Sequence, residues 1–344
     1  MSQYLVLSKI QVQNANSIAG LTWGFPAITS FLGFTHALTK KLSIFHDIHL
    51  TGCAVISNQV QNKVYQPKKY ADFEFLQSKN PPVLAKHKNT SPPIIEEGKL
   101  NLTVSLALEL EEALLLTDEQ RKQFEAEVHD TCCQMRLSGG SILAIQKIKL
   151  VSASTEKEQQ QMLKTVKRLV MPGFVLLDKS HYLKEHYESL KQQDETAQLL
   201  DAWLDFSALK CKAVPKLNDE QKKFDDTTPA DWQYQPKPFK GYLVPLMTGY
   251  KAISELYDPG EVANTRNTKT PTRFVEAIHS VGEWKGAHSI QNLSDVIWRY
   301  QHEPSSSWYL CTQATTTDTK NEHEILDVLT AQEQSTVTDV LDLL

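Results

Sequence analysis

The periodicity of apolar residues along this chain predicts an α+β protein whose first half is a split β-α-β unit of the ferredoxin-like type. Three observations carry that expectation. Between residues 4 and 151 the pattern switches in the order strand, helix, strand, strand, helix, strand. A basic, proline-bearing stretch at about 61–98 separates the second strand from the third. Beyond residue 152 the pattern loosens, which reads as helical and β elaboration packing on the core over 153–315, with an acidic, mobile tail at 316–344.

Tyr4 to Val12 reads as a buried strand, and Gln13 to Ser17 as a polar loop. Pro26 suits a first helical turn; Ile28, Phe31, Leu32, Thr35, Leu38 and Leu42 then recur at helical spacing, and Lys40 and Lys41 sit where cations favour the negative end of the helix dipole. Ile48 to Val60 is a second strand. From Gln61 to Gly98, Pro67, Pro81, Pro82, Pro92 and Pro93 disfavour regular structure, and Lys63, Lys68, Lys69, Lys79, Lys86 and Lys88 make the stretch basic, so it reads as a projecting insertion. Leu100 to Leu110 alternates strictly and is the clearest strand. Thr117 with Gln120 is a capping signature for a helix to about Met135, after which the glycine turn Arg136–Ser141 leads to a strand from Ile142 to Val151.

In the second half, Lys157–Val170 and His181–Trp203 read as helices, with a short apolar run between them from Phe174 to Leu177. Pro215–Lys240 reads as a polar linker, Tyr242–Thr248 as a strand bent at Pro245, Arg273–Ile278 and Trp308–Cys311 as strands, and Leu293–Tyr300 as a short helix. No fixed-period repeat is present.

Formal net charge is -5 over 344 residues, but the segment from Asp318 to Leu344 carries seven acids against Lys320. The remainder is close to neutral, with basic clusters able to face a phosphate backbone. Five cysteines without a C-x-x-C pair fit neither a disulfide framework nor a zinc ribbon, and Cys53, in an apolar run, reads as a buried small hydrophobe. With no apolar run of 18 residues and no signal-peptide pattern, a cytoplasmic protein is expected. No metal, cofactor or membrane partner is expected either.

Several groups of residues suit RNA. Asn14 and Asn16 can donate to and accept from base edges, and Trp23 can stack on a base; the same residues also suit a polar turn with Trp23 as a core anchor. Arg136 with Gly139 and Gly140 could bring charge and bare backbone to a phosphate, or could simply end a helix. Arg266, Lys269 and Arg273 share a loop rich in Asn and Thr. In the insertion, Lys63, Lys68 and Lys69 lie among Tyr65, Tyr70, Phe73 and Phe75, which is stacking surface beside charge. His36 reads as a buried core histidine, and no HExxH, G-x-S-x-G or P-loop occurs.

Val12-Gln-Asn-Ala-Asn16, Leu21-Thr-Trp-Gly-Phe-Pro26, Phe31-Leu-Gly-Phe-Thr-His-Ala-Leu38, Ile95-Glu-Glu-Gly98, Met135-Arg-Leu-Ser-Gly-Gly-Ser-Ile142, Met171-Pro-Gly-Phe174, Gly241-Tyr-Leu-Val-Pro245, Pro259-Gly-Glu-Val262, Thr270-Pro-Thr-Arg-Phe-Val-Glu276 and Gly282-Glu-Trp284 follow one another in order. This series resembles the Cas-five-type RAMP subunit, the tail subunit, of type I-F CRISPR Csy complexes. The resemblance implies a non-catalytic RAMP protein with a ferredoxin-like core and a thumb-like insertion. Such a subunit would bind the 5′ handle of the CRISPR RNA, pair with the large subunit and abut the adjacent backbone subunit. Contact with the target DNA duplex near the protospacer-adjacent motif would also be open to it. It carries over Asn14, Asn16, Trp23, Arg136, Gly139, Gly140, Arg266 and Arg273 as RNA contacts. The competing expectation is a metal-independent endoribonuclease of the same superfamily, acting on repeat RNA.

Overall fold

A computed structural model describes residues 1–76, 97–216, 228–265, 267–303 and 307–313. The first half contains β1 (Ser2–Asn16), α1 (Ile28–Leu42), β2 (Leu50–Asn62), β3 (Lys99–Leu110), α2 (Asp118–Cys133) and β4 (Gly140–Ala153). Then come α3 (Glu156–Val170), β5 (Phe174–Asp178), α4 (Ser180–Gln193), α5 (Leu199–Ser207), β6 (Cys211–Pro215), β7 (Ala230–Tyr234), β8 (Leu243–Ala252), β9 (Val275–Gly286), β10 (Trp298–Glu303) and β11 (Trp308–Thr312). The fold is therefore mixed α+β, with a large antiparallel sheet and, among the described residues, five α-helices.

The chain divides into two compact units. One comprises Met1–Asp178, Leu246–His279 and the described residues from Lys285 on; the other comprises Lys179–Pro245 and Ser280–Trp284. In the first unit the strand order across the sheet is β2-β3-β1-β4. β1 pairs with β3 through Leu5↔Leu108 and Leu7↔Leu106, and with β4 through Leu5↔Leu150 and Leu7↔Ile148. The edge of β2 away from β3 is shared: β10 pairs at Trp298↔Cys53, and β5 at Phe174↔Ser57.

The local sequence accounts for the elements. Thr117 and Gln120 form a reciprocal capping box at the start of α2, and Thr155 and Glu158 form another at α3. Lys40 and Lys41 lie in the last turn of α1. Cys53 is fully buried against Thr35 of α1, and burial pushes its thiol up to about 12, as a core residue requires. That contact places α1 over the sheet face that carries Cys53.

The opposite face is covered too. Tyr4, Val6, Ala54, Ile56 and Ala107 form one buried cluster with Met162, Val166 and Val170 of α3. Strict alternation in β3 predicts a single buried face, yet Ser105 and Ala107 on the other face are also inaccessible. The reason is α3, whose apolar stripe needs a partner and finds it there. The sheet stays open on this side only toward its far end, where Gln11, Gln13, Gln59 and Gln61 are exposed.

Several second-half expectations are corrected. His181–Trp203 is two helices rather than one, because Asp194 takes the amide and hydroxyl protons of Thr196 (2.8 and 2.6 Å) and turns the chain between them. Those hydrogen bonds also lower the Asp194 pKa. Pro215–Lys240 contains β7, which pairs with β6 from Cys211↔Tyr234 to Pro215↔Ala230. Leu293–Tyr300 is a single 3-10 turn at Ser294–Val296 that runs into β10, since burying Ile297 and Trp298 demands an extended pairing with β2. His36 is exposed, not buried: it lies on the outward stripe of α1 with Gly33 and Lys40. Tail positions 314–344, with the spacing of Ile325, Leu326, Val328 and Leu329, lie outside the described residues, as do Lys79, Lys86 and Lys88 of the insertion.

In the second unit Leu183, Ala202, Phe206, Leu243 and Val281 make a small core, with Tyr182 and Phe239 stacked on its rim at 4.3 Å between centroids. The Trp203 indole N–H donates to the Ser280 carbonyl (3.0 Å). Among the described residues no helix is long and apolar enough to cross a membrane.

The junction of β2 and β10 leaves no room for a side chain at Gly52. An added Cβ would lie 2.4 Å from the Trp298 carbonyl oxygen and 2.7 Å from Ile297 Cγ2. Gly52→Ala is therefore expected to cost about 2 kcal/mol or more of unfolding free energy, by forcing the strands apart. A urea midpoint equal to that of the parent chain would show that β10 does not approach this closely.

A cationic basin at the break in the first strand

β1 does not run straight to its end. Its register with β3 shifts between Val12 and Ala15, and its register with β4 shifts between Gln11 and Val12. Asn14 sits in this bulge at φ 58°, a left-handed conformation that Asn tolerates better than most side chains. The bulge takes Gln13 and Asn14 out of the ladder with β3, while Gln13 keeps its pairing with Ser141 of β4, and leaves both exposed.

The glycine turn meets the bulge from one side. Arg136–Leu137 forms a short strand that pairs back on β4 through Arg136↔Ser141 and Leu137↔Gly140. Ser138 (φ 50°) and Gly139 (φ 76°) are therefore the two central residues of a tight hairpin, both left-handed as such loops need. Gly140 is required for a different reason: a Cβ there would lie 2.7 Å from both Ala15 N and Gln13 O. The amide of Asn16 donates to the Ser138 carbonyl (2.8 Å), which ties the hairpin to β1.

The root of the basic insertion meets it from the other side. Lys63 is fixed through its backbone: its amide donates to the Lys99 carbonyl (3.1 Å), and its carbonyl accepts from Leu76 N (2.9 Å). Val64–Tyr65 pairs with Glu74–Phe75, and the Phe75 ring packs on Trp23 with 4.7 Å between centroids. The Tyr65 hydroxyl donates to Glu74 (2.8 Å), which raises its pKa.

Together these elements enclose a depression of about 490 Å³ lined by Gln13, Asn14, Lys63, Leu76, Lys99, Arg136, Gly139, Gly140 and Ser141. That volume falls within the ~300–1,000 Å³ usual for ligand clefts. Among the described residues three cations and no carboxylate line it, although Glu97 lies 3.2 Å from Lys99 Nζ. Lys63 Nζ donates to Asn14 Oδ1, and Asn14 N donates to Asn101 Oδ1 (3.3 Å). Arg136 is exposed, with no ion pair or side-chain hydrogen bond to another described residue. Such a lining of guanidinium, ammonium, amide and bare glycine backbone suits an anion, above all a phosphate.

The structure thus brings Asn14, Lys63, Arg136, Gly139 and Gly140 into one place, and separates them from other candidates. Asn16 spends its amide locally, accepting from Ile18 N (3.1 Å) and donating to Ile18 O (3.0 Å). Trp23 is half-buried against Phe75 and Gly98, as an anchor for the insertion root. Lys68 and Lys69 are exposed away from the basin lining, with Lys69 Nζ 5.4 Å from the Tyr70 ring centroid. Arg273 follows the Tyr257↔Thr272 bridge in another loop, and its buried Nε has no hydrogen-bond partner among the described residues. Arg266 lies outside the described residues. Lys99 escaped sequence reading; it joins the basin because the ladder sets it opposite Asn16, and cross-strand register is invisible along a single strand. Among the described residues no group of three or more His, Cys, Asp or Glu is placed to hold a metal ion.

The two glycines predict different costs. Gly140→Ala drives a methyl into the bulge and is expected to lose about 2 kcal/mol or more, whereas Gly139→Ala meets nothing and bears only the left-handed penalty of about 1–2 kcal/mol. Equal losses in urea unfolding would refute the close approach of hairpin and bulge.

The loop carrying Trp23 has its own titratable tie. Leu21 N–H donates to His279 Nε2 (3.1 Å), so the ring is bonded in its neutral form, and burial holds its pKa below the usual ~6.5. A histidine with a depressed folded pKa binds fewer protons folded than unfolded. Stability should therefore fall as pH drops from about 6.5 toward the folded pKa, and be flat above that window. His279→Gln removes this dependence while keeping an acceptor; urea midpoints at pH 7.5 and 5.5 that shift in parallel for both proteins would contradict it.

With this geometry in place, the relatives are informative. A family model described as CRISPR-associated protein (Cas_Csy2) matches residues 5–311. CRISPR-associated protein Csy2 of Pseudomonas aeruginosa (strain UCBPP-PA14) is 34% identical over 314 residues, covering 89% of this chain and 93% of that protein. The match spans β1, the hairpin at Gly139 and Gly140, and the strands beyond. This chain belongs to the Csy2 family of CRISPR-associated proteins, a family of type I-F Csy subunits.

Proposed function

We propose that this protein is a non-catalytic subunit of a type I-F CRISPR surveillance complex and that its cationic basin holds the backbone of the guide RNA at the 5′ handle. The observation that carries the reading is the convergence of Asn14, Lys63, Arg136, Gly139 and Gly140 on one depression, whose lining among the described residues holds no carboxylate. These groups bind and orient a phosphate. The polar end of the sheet beside it, with Gln11, Gln59 and Gln61 exposed, offers amides to base edges. In this reading the order β2-β3-β1-β4, with α1 and α2 in the two crossovers, is the ferredoxin-like core of a RAMP protein. Residues 1–152 form that core, the stretch at about 61–98 is its thumb, 153–315 elaborate it, and 316–344 are an acidic tail.

The partners we propose are the CRISPR RNA, the large Csy subunit, the adjacent backbone subunit and the target duplex near the protospacer-adjacent motif, in the cytoplasm. Base pairing by the guide then supplies sequence specificity, and the protein holds the guide's backbone. Arg266 and Arg273 are proposed as further RNA contacts outside the basin, with Lys68 and Lys69 on the thumb.

Arg136→Ala is expected to weaken binding of a handle-bearing RNA and to lower the slope of log affinity against log salt by about 0.7, the value of one single-strand phosphate contact. An unchanged slope would remove Arg136 from the interface. Cleavage of repeat RNA by the purified chain would replace the binding role with an endoribonuclease.

A further inference from the structure

We infer that Lys63, by holding Asn14 Oδ1, turns the Asn14 amide so that its NH2 faces an anionic phosphate oxygen of the bound strand. This rests on the reading of the basin as an RNA site and specifies the chemistry of one contact within it.

An asparagine side chain offers a carbonyl oxygen with two lone pairs at one end and two N–H donors at the other, and which end meets a ligand is settled by its other partners. Here Oδ1 is taken by the Lys63 ammonium. The rest of the residue is constrained as well. Asn14 N donates to Asn101 Oδ1 (3.3 Å), and Asn101 Nδ2 donates to Gln61 Oε1 (3.4 Å), so a polar chain runs from β2 through β3 to the bulge. The base of the Lys63 side chain is held in place, because its amide and carbonyl are bonded to Lys99 and Leu76. The insertion root thereby sets the flip of an amide on the core strand. With the ammonium on Oδ1, the NH2 is the end of Asn14 left without a partner, and among the described residues the lining carries cations but no carboxylate. A phosphate oxygen, which only accepts, satisfies those groups together; a base amino group, which only donates, gives the cations and the NH2 nothing to bind. Lys63 is in this sense a positioning residue that acts through Asn14.

The decisive variant is Asn14→Asp. Asp tolerates the left-handed backbone nearly as well as Asn, and a carboxylate at this position pairs with Lys63, so the fold is kept. The ligand-facing NH2 becomes an acceptor, however, and repels a phosphate. Expected for the full chain binding a handle-bearing RNA oligonucleotide is a Tm at or above that of the parent with affinity reduced about tenfold or more. Asn14→Ala should lose less affinity than Asn14→Asp, because it removes a donor without adding charge. Lys63→Met frees the amide to flip and also removes a basin cation; it should lower affinity more in the parent than in the Asn14→Ala background.

If Asn14→Asp binds RNA as tightly as the parent while Arg136→Ala binds weakly, the amide does not face a phosphate and this inference falls, with the basin's RNA role intact. If Asn14→Asp and Arg136→Ala both bind as the parent does, the basin is not the RNA site and both readings fall together. Additive losses for Lys63→Met and Asn14→Ala would show that Lys63 acts independently and would overturn its positioning role.

Discussion

The break in β1 between Val12 and Ala15 is the constraint on which the site depends. A continuous strand would keep Gln13 and Asn14 in the ladder, alternating between sheet faces, with no reason to gather loops around them. The bulge removes them from pairing with β3, and the price of that irregularity is met by neighbours that fit it closely. Gly140 lets β4 lie against Gln13 and Ala15, Ser138 accepts the Asn16 amide, and Asn101 accepts the Asn14 amide. Each tie is local, yet together they hold a hairpin, a strand end and the root of an insertion around one depression.

Burial on both faces of the sheet explains why function collects at that end. α1 and α2 occupy one face, and α3 takes the other over Tyr4, Val6, Ala54, Ile56 and Ala107. What remains accessible is the far end, where the strand residues switch from Val, Leu and Ile to Gln and Asn. Closing the upper part of the sheet with a helix thus both enlarges the core and confines solvent-facing amides to the neighbourhood of the basin. A chain with a near-neutral body can present a cationic site only if its positive residues are gathered, and the register of β3 with β1, together with the hairpin, gathers Lys63, Lys99 and Arg136.

Much of this was legible along the chain, for physical reasons that differ by element. Capping pairs announce α2 and the strict alternation of Leu100 to Leu110 announces β3, because both signals are local. Asn14, Arg136 and the two glycines stood out because their residue types are unusual beside a strand. Elsewhere local signals misled. His36 falls within an apolar helix but on its solvent stripe, and the run from His181 to Trp203 hides a turn made by a single Asp194 side chain. Trp298 lies in a run that reads as helix yet forms strand, since its burial depends on β2, far away in sequence.

The sequence by itself determined the order of elements in the first half, the place of the insertion, the balance of charge and the family, since each of these is written in local periodicity, composition or ordered motifs. Only the tertiary structure decided that Lys99 belongs with Asn14, that Trp23 anchors rather than faces outward, and that Lys63 reaches across to the Asn14 amide. Those are facts of register and packing between segments up to some hundred residues apart. A pattern read along one strand cannot contain them, because they exist only once two strands are hydrogen-bonded side by side.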